Sequence, residues 1–237
     1  MERRYSRSRQ PATPTPSATS RAAPTYDSFD AEAIAARLGV ASVALFDCIA
    51  STMDAAHSLG ESGALGGTLV LADRQTAGRG QHGRAWSSET AAGVWLTLLE
   101  RPSDASAIET LSLRLGLRVA QALDGLAGLR VRVKPPNDLY SGSGKLGGIL
   151  CEARWHGERV SWVAVGLGIN TVVPSEIPGA AAMPPGTSRI DLLAAVVPAM
   201  RAGVAITGGL TAHERRELES RDIGAADPVP PNAGLPA

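Results

Sequence analysis

Lysine is nearly absent from this chain of 237 residues. Of its 23 basic side chains only two are lysines, Lys134 and Lys145, and both fall in one short segment. Wherever a generic positive charge suffices, the sequence uses Arg. The two retained amines therefore mark a place that needs a compact, rotatable ammonium and not a planar fork. Asparagine is scarce as well, at Asn137, Asn170 and Asn232. Neither sign of charge dominates, because 23 acidic residues balance the basic ones. Nothing global draws the chain to nucleic acid or to an anionic membrane. No apolar run approaches the roughly 20 residues of a membrane-spanning helix. The two cysteines, Cys48 and Cys151, are too few for a disulfide framework and lack zinc-type spacing. They read as small core residues and fit a reducing cytoplasm. His57, His82, His156 and His213 have no mutual spacing that suggests a metal site, and no nucleophile–base pair of the protease or esterase sort is visible.

What is present suits one globular domain with a full core. Residues 1–27 are rich in Arg, Ser, Thr and Pro with almost no large aliphatics, so they are expected to be disordered. They lack the apolar stretch of a secretory signal. Order is expected from about residue 28 to 222, with a Pro/Ala tail over 223–237. The patterning predicts a helix over Asp30 to Leu38 and a strand over Ser42 to Phe46. Ser51 reads as an N-cap with Asp54 as its capping-box partner. Strands are expected over Gly67 to Ala72, Val94 to Leu99 and Leu129 to Val133, and a helix over Ile108 to Leu126. Leu146 to Trp155 and Val160 to Leu167 read as a hairpin around His156-Gly157. Ser188, with Asp191, is expected to cap a long helix, and a short one spans about Thr211 to Ser220. Most strands are joined by turns, which argues α+β: a mixed, mostly antiparallel sheet backed by helices.

Three segments carry chemistry. Between Gln75 and Trp86, three glycines (Gly78, Gly80, Gly83) expose backbone N–H groups, Arg79 and Arg84 offer forks for phosphate or carboxylate, and Trp86 offers a flat face for a ring. The polar stretch from about Asp73 to Glu89 is long for a loop, and such loops are usually lids or linkers. In the second segment, Lys134-Pro135-Pro136-Asn137-Asp138 is followed by Lys145 to Leu150. An Asp beside two lysines can hold a magnesium ion that bridges phosphates. Gly144-Lys145 is not a Walker loop, since Leu146 and Leu139 stand where a hydroxyl and the first glycine are required. The third segment, Gly166 to Thr171, closes a strand with Asn170, which can read a base or amide edge. Cations for a polyphosphate, a ring-covering lid and an amide reader suit nucleotide-dependent activation of a carboxylic acid.

In this combination the sequence resembles the biotin protein ligases. The family's glycine–arginine loop and following tryptophan resemble Gly78 to Trp86. Its lysine–tryptophan–proline–asparagine–aspartate motif resembles Lys134 to Asp138. Its lysine–x–x–glycine–isoleucine–leucine strand resembles Lys145 to Leu150, with Glu152 two residues on. Its glycine–x–glycine–isoleucine–asparagine strand end resembles Gly166 to Asn170, and its serine–threonine pair resembles Ser51-Thr52. The resemblance covers about residues 45–222. It implies the fold shared with class II aminoacyl-tRNA synthetases and a ligase that uses ATP and Mg2+ to make biotinyl-adenylate. The biotinyl group would then pass to a lysine of a carboxylase's biotin carboxyl carrier domain. It also implies roles. Ser51, Thr52, Gln75, Gly78, Gly80 and Gly148 would line the biotin pocket. Arg79, Arg84 and Lys145 would face the carboxylate and phosphate. Trp86, Lys134, Asn137, Asp138 and Asn170 would hold ATP or the adenylate, with Asp138 toward the magnesium.

The sequence departs from the family's pattern in places. Gln81 stands where the family has a basic residue, and Pro135 replaces the motif's tryptophan. The stretch after Arg221-Asp222 is too short for the family's SH3-like barrel, and the N-terminal stretch does not read as a DNA-binding helix-turn-helix. Two other readings stand beside the ligase: a lipoate or octanoate ligase of the same fold, and a non-catalytic binder of biotin or its adenylate. An exposed sheet edge could pair two copies, but nothing in the sequence decides the oligomeric state.

Overall fold

Alternation along the strands decides which way the sheet faces. In the computed structural model, which describes residues 24–224, seven strands form one sheet in the order β1-β2-β3-β7-β6-β5-β4. They are β1 (Ser42–Ile49), β2 (Thr68–Gln75), β3 (Gly93–Glu100), β4 (Val131–Lys134), β5 (Asp138–Ser141), β6 (Gly144–His156) and β7 (Arg159–Asn170). Only β1 and β2 run parallel; every other neighbouring pair is antiparallel. On one face Leu69, Leu71, Leu96, Leu98, Val165, Leu167 and Ile169 join the main core. That core is closed by α1 (Ala31–Leu38), α3 (Leu111–Ala127) and α4 (Arg189–Val204). The period of two sends their neighbours Val70, Thr97, Ala164, Gly166 and Gly168 to the other face. There, among the described residues, a single helix packs, α2 (Thr52–Glu61), through Met53 and Ala56 against Val70 and Ala164. The sheet thus keeps one thick core and one half-open face, and the site lies on that face.

Most expected elements form, and the differences have local causes. β1 runs on to Ile49, and a 3-10 turn (Ile108–Thr110) precedes α3. The short strand β5, unexpected from the sequence, pairs with both β4 and β6. Ser51 does stand at the N-cap of α2, but its side chain makes no cap bond. The expected partner Asp54 instead pairs with Arg79. Ser188 caps α4 by accepting from the Asp191 N–H, while the Asp191 carboxylate goes to Arg37. A complete capping box forms at Thr211-Glu214, ahead of α5 (Ala212–Arg221). Disorder expected to residue 27 is corrected at its end. Tyr26 is buried, its hydroxyl donates to the Gly93 carbonyl, and Arg189 lies over its ring while pairing with Asp27 and Asp73. Burial drives the Tyr26 hydroxyl well above its ordinary pKa. Ile223 and Gly224 are also part of the fold, the Ile223 carbonyl accepting from Arg132. The rest of both expected tails, residues 1–23 and 225–237, lies outside the described residues.

α5 is held by charge rather than by an apolar stripe. Arg114 on α3 is wholly buried, and its Nε donates to Glu214 Oε1 at 2.9 Å. Its Nη2 also donates to the Gly208 and Gly209 carbonyls. The Arg114 hydrogen bond, against the cost of burial and with help from Thr211, holds the Glu214 carboxyl down at about 2, from an ordinary 4.5. A carboxylate with a depressed folded pKa stabilises the fold above its unfolded pKa. That contribution is lost as pH falls from about 4.5 toward about 2. Glu214→Ala leaves Arg114 buried without its partner and should cost about 3–5 kcal/mol at pH 7. Urea unfolding at pH 7 and at pH 3 checks this: the gap between wild type and variant should be wide at pH 7 and narrower at pH 3.

Candidate functional site

The half-open face carries a cavity of about 390 Å³, within the range of small-molecule sites. Its floor is the glycine positions of β6 and β7, where large side chains would fill the space. Ser51, Thr52 and Gln75 line one end, where β1 hands over to α2 beside the end of β2. Lys134, Asn137, Asp138, Lys145 and Gly148 line the other, on β4, the turn after it, β5 and β6. Arg79, Gly80, Arg84 and Trp86 form the cover. The three sequence segments, far apart in the chain, thus meet around one space.

The cover is a small hairpin. The Gly80 N–H donates to the Arg84 carbonyl and the Trp86 N–H to the Gly78 carbonyl, both at 2.8 Å. A 3-10 turn at Gln81–Gly83 makes its tip, with His82 and Gly83 at φ 57° and 72°. This explains why Gly78 does not line the cavity, against expectation. A Cβ there would stand 2.6 Å from the Trp86 carbonyl oxygen, so glycine serves the close pairing of the two arms. The Trp86 indole lies on the floor. A Cβ on Gly168 would meet it at 2.6 Å, and one on Gly148 at 3.5 Å. Trp95 packs edge-on against it and the Lys145 ammonium sits 5.3 Å from its ring. The Trp86 Nε1–H is buried without a hydrogen-bond partner among the described residues.

The polar end is one chain of donors. Thr97 Oγ1 donates to Thr52 Oγ1 at 2.9 Å, and Thr52 Oγ1 donates to Gln75 Oε1 at 3.0 Å. The Thr52 N–H donates to the same oxygen at 2.8 Å, and Gln75 Nε2 donates to Ser88 Oγ at 2.9 Å. All the bonds point one way, so each polarises the next. Gln75 retains one amide hydrogen for a ligand. Thr97 lines the cavity and was missed in the sequence. Its only signal was a hydroxyl inside the apolar run of β3.

At the cationic end, Lys145 Nζ lies 2.8 Å from Asp138 Oδ1, and Lys134 Nζ lies 5.9 Å from the Tyr140 ring centre. Asn137 is clamped to β6: its Nδ2 donates to the Ile149 carbonyl, and the Ile149 N–H returns a bond to the Asn137 carbonyl, both at 2.9 Å. Pro135 and Pro136, joined by a cis peptide bond, make the turn just before it. Asn170, expected to hold ATP or the adenylate, lies apart from these residues. It is buried and outside the cavity lining, because its Nδ2 donates to the Ala181 carbonyl and ties down the segment after β7. Arg79 contacts two carboxylates, Asp54 through Nη1 and Glu152 through Nε and Nη2 at 3.4 Å. Desolvation lowers its pKa, but the Asp54 hydrogen bond and the Glu152 and Asp54 charges outweigh this and leave it raised. Among the described residues no three His, Cys, Asp or Glu side chains gather as for a metal, and no helix is long and apolar enough to cross a membrane.

The family model described as "Biotin/lipoate A/B protein ligase family" matches residues 45–170. The bifunctional ligase/repressor BirA of Bacillus subtilis is 40% identical over 125 residues, covering 52% of this chain and 38% of that protein. The biotin–[acetyl-CoA-carboxylase] ligase of Mycobacterium tuberculosis is 34% identical over 163 residues, 66% of this chain and 54% of that one. The chain thus spans from little more than a third to about half of these relatives. Among solved structures, the biotin protein ligase of Aquifex aeolicus in complex with biotin and ATP is similar with a TM-score of 0.58 and 29% identity. That match covers 68% of this chain and 69% of the other. The biotin protein ligase of Leishmania major in complex with biotinyl-5-AMP shares the fold, with a TM-score of 0.64 and 20% identity over 82% and 87% of the two chains.

The two floor glycines beneath the Trp86 ring, Gly168 and Gly148, differ in a testable way. Gly168→Ala must displace the Trp86 ring and should change the near-ultraviolet circular dichroism, with an overpacking cost of about 1–3 kcal/mol. Gly148→Ala brings only ordinary contact and should leave that spectrum unchanged.

Proposed function

The chain belongs to the biotin/lipoate A/B protein ligase family, and on that footing we propose that it joins biotin to a carrier lysine by way of biotinyl-adenylate. The observation that carries this reading is the meeting of a donor chain at one end of the cavity with Lys145 and Lys134 at the other, under a cover that bears Arg79. In the first step a biotin carboxylate oxygen attacks the α-phosphorus of ATP and pyrophosphate leaves. Two anions must approach, so fixed positive charge where they meet lowers the barrier most. Lys145 is the residue for that place, since its ammonium can turn from Asp138 to follow the phosphate. Arg79 and Arg84 would meet the carboxylate and phosphates from the cover. In the second step the carrier's lysine amine attacks the acyl carbon and AMP leaves. The mixed anhydride hydrolyses if water enters, so the hairpin bearing Trp86 would seal it.

The donor chain of Thr97, Thr52 and Gln75 favours biotin over lipoate. A ureido ring offers donors and a strong acceptor, whereas a dithiolane offers only weakly accepting sulfurs, and the Gln75 amide hydrogen left unmatched would penalise the wrong substrate. Asn137, held against β6, and Lys134 would support the nucleotide. The residues fit magnesium in the manner usual for phosphate substrates, with one protein carboxylate and the rest from phosphate and water. Asp138 would be that carboxylate, and the ion would neutralise phosphate charge. The carrier is proposed as the biotin carboxyl domain of a carboxylase.

Purified chain incubated with biotin, ATP, magnesium and a carrier domain should add one biotinyl group to the carrier by intact mass, and none when ATP is omitted. Pyrophosphate release without carrier tests the first step alone. Its absence would favour a protein that only binds biotin or its adenylate. Lys145→Ala should slow that release about 10²–10³-fold, the usual loss for a group that stabilises transition-state charge. A variant with undiminished release would remove Lys145 from the mechanism.

A further inference from the structure

We propose that Glu152, held by Trp162 through His57, is a positioning residue for Arg79. The proposal rests on the ligase reading for its kinetic consequence, but its geometry stands independently. Glu152 lies on β6 outside the cavity lining, and the chemistry above does not use it. His57 is buried on α2. Trp162 Nε1–H, which can only donate, gives its hydrogen to His57 Nδ1 at 3.1 Å. The imidazole proton is therefore on Nε2, and that N–H donates to Glu152 Oε2 at 2.9 Å. The relay is tightly packed, since a Cβ on Gly60 would stand 2.7 Å from the Trp162 ring. With Oε2 fixed, Oε1 faces the Nε and Nη2 edge of Arg79 at 3.4 Å.

Four side chains thus link β7, α2, β6 and the cover hairpin. Asp54 is the closer partner of Arg79, but its side chain is 62% exposed against 24% for Glu152. Water screens the exposed pair more strongly. Arg154, 3.7 Å from Glu152 Oε2, is exposed as well. The recessed, hydrogen-bonded carboxylate is the one able to set the direction of the guanidinium, and with it the N–H groups left for a substrate carboxylate. A reacting group turned by even an ångström can lose orders of magnitude in rate.

Glu152→Gln tests this, because its amide oxygen still accepts from His57 Nε2–H while the charge facing Arg79 is gone. Pyrophosphate release at saturating biotin and ATP should fall about tenfold or more, and the same change should have no further effect in an Arg79→Ala background. Asp54→Asn should cost about threefold or less. Trp162→Phe keeps an aromatic ring but removes the N–H that fixes the imidazole tautomer, so it should act in the direction of Glu152→Gln. An unchanged rate in Glu152→Gln, or an equal loss with and without Arg79, overturns the proposal. Amide hydrogen exchange over residues 78–86 in the protein alone provides the second reading. Glu152→Gln should raise it as much as Arg79→Ala does, and the double variant no further. Unchanged exchange in Glu152→Gln also overturns the proposal. If the wild type releases no pyrophosphate from biotin and ATP, the ligase reading fails, while exchange still reports the coupling of Glu152 to Arg79.

Discussion

The site depends on one steric constraint: on the open face of the sheet, β6 and β7 carry glycine where the cavity lies, at Gly148, Gly166 and Gly168. β7 reads Val165-Gly166-Leu167-Gly168-Ile169. Its aliphatics pass to the helix-covered core and its glycines to the cavity. β6 repeats the device at Gly148. The same alternation that closes the core therefore opens a space directly on the sheet backbone, and the Trp86 ring can lie there. Larger residues at these positions would preserve the core and remove the cavity. Stability and site share the strands but occupy opposite faces.

Around this floor, two of the cations rest in ion pairs. Lys145 rests against Asp138, and Arg79 against Asp54 and Glu152. Pairing keeps the cations near their posts, while partial exposure keeps the pairs weak enough to exchange for a stronger anion. The buried pair Arg114–Glu214 is of another kind. With no water to screen or replace either partner, it fastens α5 to α3 and takes no part in the site.

The motif residues were legible in the sequence because they break its habits. Two lysines in a chain that otherwise uses Arg, and a Gly-Arg run before Trp86, stand out against any background, and their resemblance to the biotin protein ligases agrees with the family match over residues 45–170. The sheet class was legible too, since strand alternation and short turns are local properties. Less legible were residues whose importance lies in a partner. Thr97 looked like one hydroxyl in an apolar strand, His57 like a lone histidine on a helix, and Tyr26 like part of a polar tail. Conversely, Asn170 and Gly78 looked like ligand contacts, but close backbone neighbours claim them.

By itself the sequence determined most of the elements, the class of the sheet, and the chemical types gathered for the site. Each follows from spacing within a few residues, where periodicity and turn chemistry act. Tertiary structure alone decided which side chains meet. Asp54 leaves its expected cap to bind Arg79, Thr97 completes the donor chain to Gln75, and Trp162 fixes the tautomer of His57. Those contacts join residues 25, 45 and 105 positions apart, and no local pattern encodes such distances, because only the packing of the sheet and α2 brings them together.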